Sequence, residues 1–320
     1  MKEVLNQLGK SRIPFLFIID FNAENCYITP MNELKNDILF SIDGFSNTTD
    51  HWTPKVIPQL TIKKSIDFDR YSKAFALVLE EMRKGNTYLL NLTFPTEIII
   101  NLSLLEIFFL SQAPFKLYVK DQFVTFSPEQ FIKIENGFIK TFPMKGTIDL
   151  AIPNAMQKIL ADTKEQAEHV MVVDLLRNDL SIVAKKVRLN RFRYVSKIKA
   201  GTRELLQVSS EISGILEPHW QDRIGDILLA LLPAGSISGT PKKKTVEIIK
   251  TVESENRGFF TGVFGYFNGD SLDSAVMIRF IEKQGDKIFY KSGGGLTIDS
   301  DCTKEYQELL AKVYLPIVIE

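Results

Sequence analysis

The chain has 320 residues, 45% of them hydrophobic, enough for one large or two ordinary domains with a substantial core and too apolar for disorder. Lys+Arg and Asp+Glu both number 39, so no net charge draws the chain to nucleic acid or anionic lipid. Cys26 and Cys302 make neither a disulfide framework nor a zinc motif, and His51, His169 and His219 lack metal-ligand spacing. No signal pattern opens the chain and no apolar run approaches the roughly 20 residues of a membrane helix, which implies a cytoplasmic location.

Apolar runs at 14–19, 26–28 and 38–42 read as strands punctuated by Asn, Asp and Gly. Residues 47–58, with His51 and Trp52, read as a loop. A helix follows at 68–84, with Tyr71, Phe75, Val78, Leu79 and Met82 on one face and Gly85 as its stop. Next come a strand at 88–94, a short apolar helix at 102–111, and strands at 116–119 and 123–126.

Strands at 131–134 and 138–142 flank Asn136-Gly137, the strongest two-residue hairpin signal, because a type I′ turn needs positive φ at both central positions. That turn places Glu135 opposite Phe138. Extended outward, the register brings Glu129 and Lys145 within about one residue of each other across the hairpin. A carboxylate beside a lysine there is either a surface ion pair or a built site.

Asp162 with Glu165, or Thr163 with Gln166, has the spacing of a capping box and opens a helix that runs to about 177–179. Strands at 186–189 and 194–198, a helix at 222–232 and a loop at 233–240 follow. Thr240 and Pro241 then suit the N-cap and first position of another helix. Residues 259–267, 272–282 and 287–291 read as a meander, and 303–313 as the last helix. Strands and helices cluster rather than alternate, which argues for an α+β fold.

Three features invite chemistry. Glu165 and Glu168 share a helix face, as do Glu305 and Glu308, with Lys312 one turn beyond. Such pairs are either solvated faces or ligands for an oxygen-loving cation such as Mg²⁺. Arg279 lies on an apolar strand face with Met277 and Ile281, and needs an anionic partner there, from the protein or from a ligand. Gly293, Gly294 and Gly295 end the neighbouring strand and leave backbone N–H groups open to an anion.

The motifs Phe126-Ser-Pro-Glu-Gln-Phe131, Pro143-Met-Lys-Gly-Thr147, Glu168-His-Val-Met-Val-Val-Asp-Leu-Leu-Arg-Asn-Asp179, Pro233-Ala-Gly-Ser-Ile-Ser-Gly-Thr-Pro-Lys242, Ala275-Val-Met-Ile-Arg279 and Asp299-Ser-Asp-Cys-Thr-Lys-Glu-Tyr-Gln-Glu308 resemble those of the chorismate-utilising enzymes. The resemblance covers about 68–316, behind a short N-terminal part at 1–67, and implies a single domain over 1–320. The implied fold is α+β, two large, mostly antiparallel sheets packed together with helices outside. Within the family, lysine rather than alanine at the third position of Pro-x-x-Gly-Thr marks the aminodeoxychorismate synthases, and Lys145 holds that place. Leu89 stands where isochorismate and salicylate synthases carry a water-activating lysine, and the Leu-Leu-Glu-Ser motif of tryptophan feedback is absent.

The resemblance implies roles residue by residue. Lys145 is the nucleophile and Glu129 the general acid and base. Glu165, Glu168, Glu305 and Glu308 hold Mg²⁺. Thr147 and the backbone of Gly293, Gly294 and Gly295 hold the ring carboxylate, while Arg279 clamps the enolpyruvyl carboxylate and Lys312 adds charge nearby. Two positions depart from the pattern: Gln207 replaces the histidine of His-x-x-Ser, and Phe260 replaces a tyrosine found in several relatives. No glutaminase segment is recognisable, so a separate glutamine amidotransferase subunit is the expected source of ammonia.

Overall fold

The computed structural model describes residues 1–317 apart from 51, 54, 55, 201, 202 and 254, and apart from the side chains at 164, 199, 200 and 203. The expectation for His51 lies outside the described residues. The chain forms two compact units, each drawn from three separated stretches. The first comprises Met1–Leu34, Glu129–Ser236 and Gly262–Val276; the second comprises Lys35–Pro128, Ile237–Thr261 and Met277–Glu320. Each unit holds one nine-stranded sheet, antiparallel at every described pairing. The α+β class expected from the clustering of elements is the class observed.

In the first unit the sheet order is Met144–Asp149, Arg203–Ile215, Phe138–Thr141, Gln130–Glu135, Leu272–Val276, Val263–Phe267, Phe15–Ile19 and Cys26–Pro30. Lys185–Ala200 also pairs with Arg203–Ile215. All five residues of Phe15–Ile19 are buried, which is why that strand reads as a continuous apolar run instead of an alternating one. The Asn136-Gly137 turn is as expected: φ is 53° and 77°, and Glu135 faces Phe138.

In the second unit the order is Gly239–Thr240, Leu89–Ile100, Lys287–Leu296, Phe280–Gln284, Phe123–Ser127, Phe115–Val119, Ile38–Ile42 and Phe45–Ser46. Leu60–Lys64, which the sequence reading missed, pairs along Leu89–Ile100. Helix Phe68–Arg83 buries Tyr71, Ala74, Phe75, Val78 and Met82, and its N-cap Asp67 accepts from the Arg70 amide. Ser103 and Glu106 form a capping box on Leu104–Leu110, whose Ile107 and Phe108 join Val124, Phe126, Ile281 and Tyr290 in one core. The N-terminal residues are woven into both sheets: Phe15–Ile19 pairs with Val263–Phe267, and Ile38–Ile42 with Phe115–Val119.

Several expectations are corrected. Residues 186–189 and 194–198 belong to one strand, Lys185–Ala200, whose ladder slips three times and so hides its alternation. The run 272–282 is broken at 277–279 into Leu272–Val276 of the first sheet and Phe280–Gln284 of the second. Pro241 is the N-cap of Lys242–Val252, not its first residue, because Thr240 is held in a ladder with Leu89. The expected loop at 233–240 contains a helical turn, Gly235–Ser238. Helices Lys2–Lys10 and Ala155–Ala161 were not foreseen. Cys26 and Cys302 are both free, as expected.

His169, on helix Thr163–Val183, is completely buried, and its Nε2 lies 2.7 Å from Ser210 Oγ. Burial, then the charges of Arg193 and Lys145, push its pKa down to about 4. Below pH 6.5 the unfolded chain takes up a proton that the folded chain refuses until about pH 4. The associated stability is therefore present above 6.5 and lost as pH falls. His169→Gln should lose about 3 kcal/mol less than the unsubstituted chain between pH 7 and pH 4. Parallel denaturation profiles across that range would show that the imidazole is not excluded from protonation.

Candidate active site

In the first unit, strand Met144–Asp149 does not continue the hairpin as expected. The hairpin ladder stops at Lys140 opposite Lys133, and Met144–Asp149 pairs with Arg203–Ile215 instead. The reason is a one-residue bulge: Met144 faces Ser209, whereas Thr147 faces Gln207. Gly146, at φ 86°, occupies the bulge, a conformation that suits a residue without Cβ. Lys145 is thereby directed to the helix Thr163–Val183, where its Nζ lies 3.4 Å from Glu168 Oε2. The two side chains are only 24% and 11% exposed. Glu165 is next to the same bulge: a Cβ built on Gly146 would lie 3.4 Å from its Oε2.

The expected pairing of Glu129 with Lys145 through strand register is thus replaced by Lys145 with Glu168. Glu129 accepts a short hydrogen bond from Ser236 Oγ, and its carbonyl accepts from the Val276 amide. The helical turn Gly235–Ser238 supplies that serine, a partner invisible in sequence because 107 residues separate the two. Gln207 is 9% exposed in the ladder opposite Thr147, which is itself exposed.

In the second unit, the three glycines lie inside a strand rather than after it. Lys287–Leu296 runs through them, with Gly293, Gly294 and Gly295 opposite Thr93, Leu92 and Asn91. The ladder with Phe280–Gln284 ends at Lys291, so over the glycines that edge has no strand partner among the described residues. A Cβ on Gly293 would come within 2.5 Å of Leu92 O, so only glycine fits. Helix Cys302–Ala311, capped by Asp301, lies at Gly294. A Cβ there would meet Glu305 Oε2 at 3.5 Å, Lys312 Nζ at 3.6 Å and Glu308 Oε1 at 4.0 Å. Lys312 Nζ donates to Glu308 Oε1 at 2.7 Å and to Gly293 O at 2.8 Å.

Glu305 is buried and accepts from Ser300 Oγ at 3.0 Å. Tyr71, from helix Phe68–Arg83, lies close enough that burial and then the Glu305 charge push its phenol up. Sequence reasoning placed Tyr71 only in the core and missed Ser300, because both act through tertiary contacts.

Arg279 is not on a strand face. It has φ 53° in the break at 277–279, a costly backbone for a residue with a Cβ. Its guanidinium stacks 5.2 Å from the Tyr314 ring, and its buried Nε has no hydrogen-bond partner. A buried donor without an acceptor is a donor available to an anionic ligand.

Among the described residues no group of three or more His, Cys, Asp or Glu side chains is set to hold a metal ion. The donors come as a pair in each unit, Glu165 with Glu168 and Glu305 with Glu308. They are all carboxylates; Glu165 of the first pair lies at Gly146, and both members of the second lie at Gly294. That chemistry fits Mg²⁺, which takes one or two carboxylates from a surface and completes its shell with water and substrate oxygens. No described helix is long and apolar enough to cross a membrane.

A family profile described as chorismate binding enzyme matches residues 23–317. The chain is 51% identical over 316 residues to an uncharacterized PabA-like protein of Haemophilus influenzae, covering 98% of this chain and 96% of that one. It is 31% identical over 261 residues to aminodeoxychorismate synthase component 1 of Bacillus subtilis, covering 77% of this chain and 54% of that one. Anthranilate synthase component I of Streptococcus pneumoniae superposes with a TM-score of 0.66 at 25% identity, over 79% of this chain and 58% of that chain. With the profile spanning nearly its whole length, the chain belongs to the chorismate-binding enzyme family.

Proposed function

We propose that the protein is component 1 of an aminodeoxychorismate synthase, converting chorismate and ammonia to 4-amino-4-deoxychorismate and water, on the route to p-aminobenzoate and folate. The observation that carries this reading is Lys145. It is a largely buried amine on a bulge, 3.4 Å from a carboxylate, in the position that marks this branch of the family. Similarity to aminodeoxychorismate synthase component 1 of Bacillus subtilis supports it.

The Lys145 amine attacks ring C2, the ring double bond shifts, and the C4 hydroxyl leaves as water. Ammonia then attacks C4, the double bond shifts back, and the C2–N bond to lysine breaks. Two substitutions through one covalent intermediate deliver nitrogen to the carbon that held the hydroxyl. Free lysine has a pKa of about 10.4, so less than about 0.1% is neutral at pH 7. A proton acceptor close to Lys145 is therefore required, and Glu168 and Glu129 are the carboxylates assigned to its half of the chemistry. Ser236 holds Glu129 in place.

Gln207 hydrogen-bonds the C4 hydroxyl but cannot pass it a proton, so the acid role falls to Glu129. Arg279, with its unsatisfied Nε, takes the enolpyruvyl carboxylate, and Lys312 adds positive charge. Thr147 and the backbone of Gly293, Gly294 and Gly295 bind the ring carboxylate. Glu165, Glu168, Glu305 and Glu308 are the residues that would hold Mg²⁺, which when bound supplies positive charge to the substrate's carboxylate. Ammonia comes from a separate glutamine amidotransferase, in keeping with the component 1 relatives. The reaction is placed in the cytoplasm.

With chorismate, Mg²⁺ and excess ammonium at mildly alkaline pH, mass spectrometry should find 4-amino-4-deoxychorismate and no anthranilate. Anthranilate or isochorismate as the product would overturn the assignment. Lys145→Ala should lower turnover by about 100-fold or more while chorismate still binds; equal turnover would rule out the covalent route. Glu168→Gln and Glu308→Gln should each raise the Mg²⁺ concentration needed for half-maximal rate by roughly 10-fold or more, and an unchanged Mg²⁺ titration would remove that residue from the metal site.

A further inference from the structure

Ser210 is completely buried and joins three segments of the first unit. Its amide donates to Pro143 O at 3.0 Å, two residues before Lys145. Its Oγ accepts from the Arg193 amide at 2.9 Å and lies 2.7 Å from His169 Nε2. Arg193, at φ 47°, in turn donates through its guanidinium to Ile159 O and Leu160 O at the end of helix Ala155–Ala161. That helix places Ile159 within 3.7 Å of a Cβ on Gly146, the bulge residue next to Lys145.

Ser210 Oγ, which accepts from the Arg193 amide, shares a hydrogen bond with His169 Nε2. The other ring nitrogen of His169, Nδ1, is buried without a partner. Leaving such a group unpaired costs about 1–3 kcal/mol, and an apolar pair of the same shape would avoid the cost. The imidazole is thus retained for the direction of its bond rather than for stability.

We propose that His169 and Ser210 are positioning residues: their hydrogen bond locks helix Thr163–Val183 onto strand Arg203–Ile215 and so sets the Glu168 carboxylate against the Lys145 ammonium. Glu168 is the residue next to His169 on the helix, and Ser209, next to Ser210, faces Met144 across the ladder. A shift of either element along the other moves both halves of the pair. The turnover arm of the test rests on the function proposed above; the labelling arm does not.

Two readouts are compared in the full chain carrying His169→Met, Ser210→Ala or His169→Gln, whose amide reaches the place of Nε2. One is the rate at which trinitrobenzenesulfonate modifies Lys145, followed by peptide mass spectrometry. The other is ammonium-dependent kcat and KM for chorismate. His169→Met and Ser210→Ala should raise the Lys145 labelling rate about threefold or more as the ammonium loses its carboxylate. They should also lower kcat by about 10-fold or more, with KM for chorismate within about twofold. His169→Gln should restore both. Unchanged labelling in a cooperatively melting His169→Met, or His169→Gln behaving like His169→Met, overturns the proposal. Should His169→Met fail to fold, Ser210→Ala against the unsubstituted chain decides by the same criteria. If the unsubstituted chain makes no product from chorismate, the functional reading fails while the labelling comparison still decides this one.

Discussion

The extra residue at Lys145-Gly146 is the constraint on which the first unit's candidate site depends. Without the bulge, Met144–Asp149 would run on in plain register against Arg203–Ile215, and Lys145 would be one more residue of an alternating ladder. With it, the lysine leaves the ladder for the carboxylate of Glu168. The positive φ of Gly146 suits the bulge to a residue without Cβ, and Glu165 and Ile159 come to ordinary contact distance of that position.

The second unit reaches a comparable arrangement by a different device. Its glycines sit within a strand paired with Leu89–Ile100, Gly293 close against the Leu92 carbonyl and Gly294 beside the ends of the Glu305 and Glu308 side chains. Lys312 ties the end of that helix to the Gly293 carbonyl. Nearby in sequence, the buried pair of Arg257 and Glu253 does structural work of the same kind. The guanidinium donates to Ile237 O at 2.9 Å and Asn91 O at 2.6 Å, while Glu253 accepts from the Thr93 amide at 2.9 Å. Both charges are almost fully enclosed, at 2% and 5% exposure, and each is satisfied by several hydrogen bonds, the condition under which a buried pair is tolerable. Arg279 is the contrast: strained in backbone, with one buried donor left over.

Chemically, the proposed reaction asks for a nucleophile that is cationic in water, held where it can shed a proton and later be expelled. In that proposal a lysine held beside a carboxylate has its proton acceptor within reach of the amine. In the proposed reaction a glutamine at 207 would leave the remaining proton transfer to the carboxylates, of which Glu129 is held by Ser236.

Much of this was legible in the chain itself. Asn136-Gly137 determined its hairpin down to the residue pair, because turn geometry and strand register are local. The apolar face of Phe68–Arg83, the Asp162 cap and the α+β class followed from periodicity and local hydrogen bonding. The motifs named the family. What the chain alone misplaced were features set by partners distant in sequence. Lys145 was assigned to Glu129 because the bulge depends on a strand some 60 residues on. Arg279 was assigned to a strand because 277–279 looks apolar and alternating, yet the segment is where one sheet's strand ends and the other's begins. His169 and Ser210 each stand in a family motif, but nothing in the chain says that these residues, 41 apart, meet. Hydrogen bonds of that kind are made by the packing of elements, and no local preference of the chain encodes which buried donor will meet which acceptor.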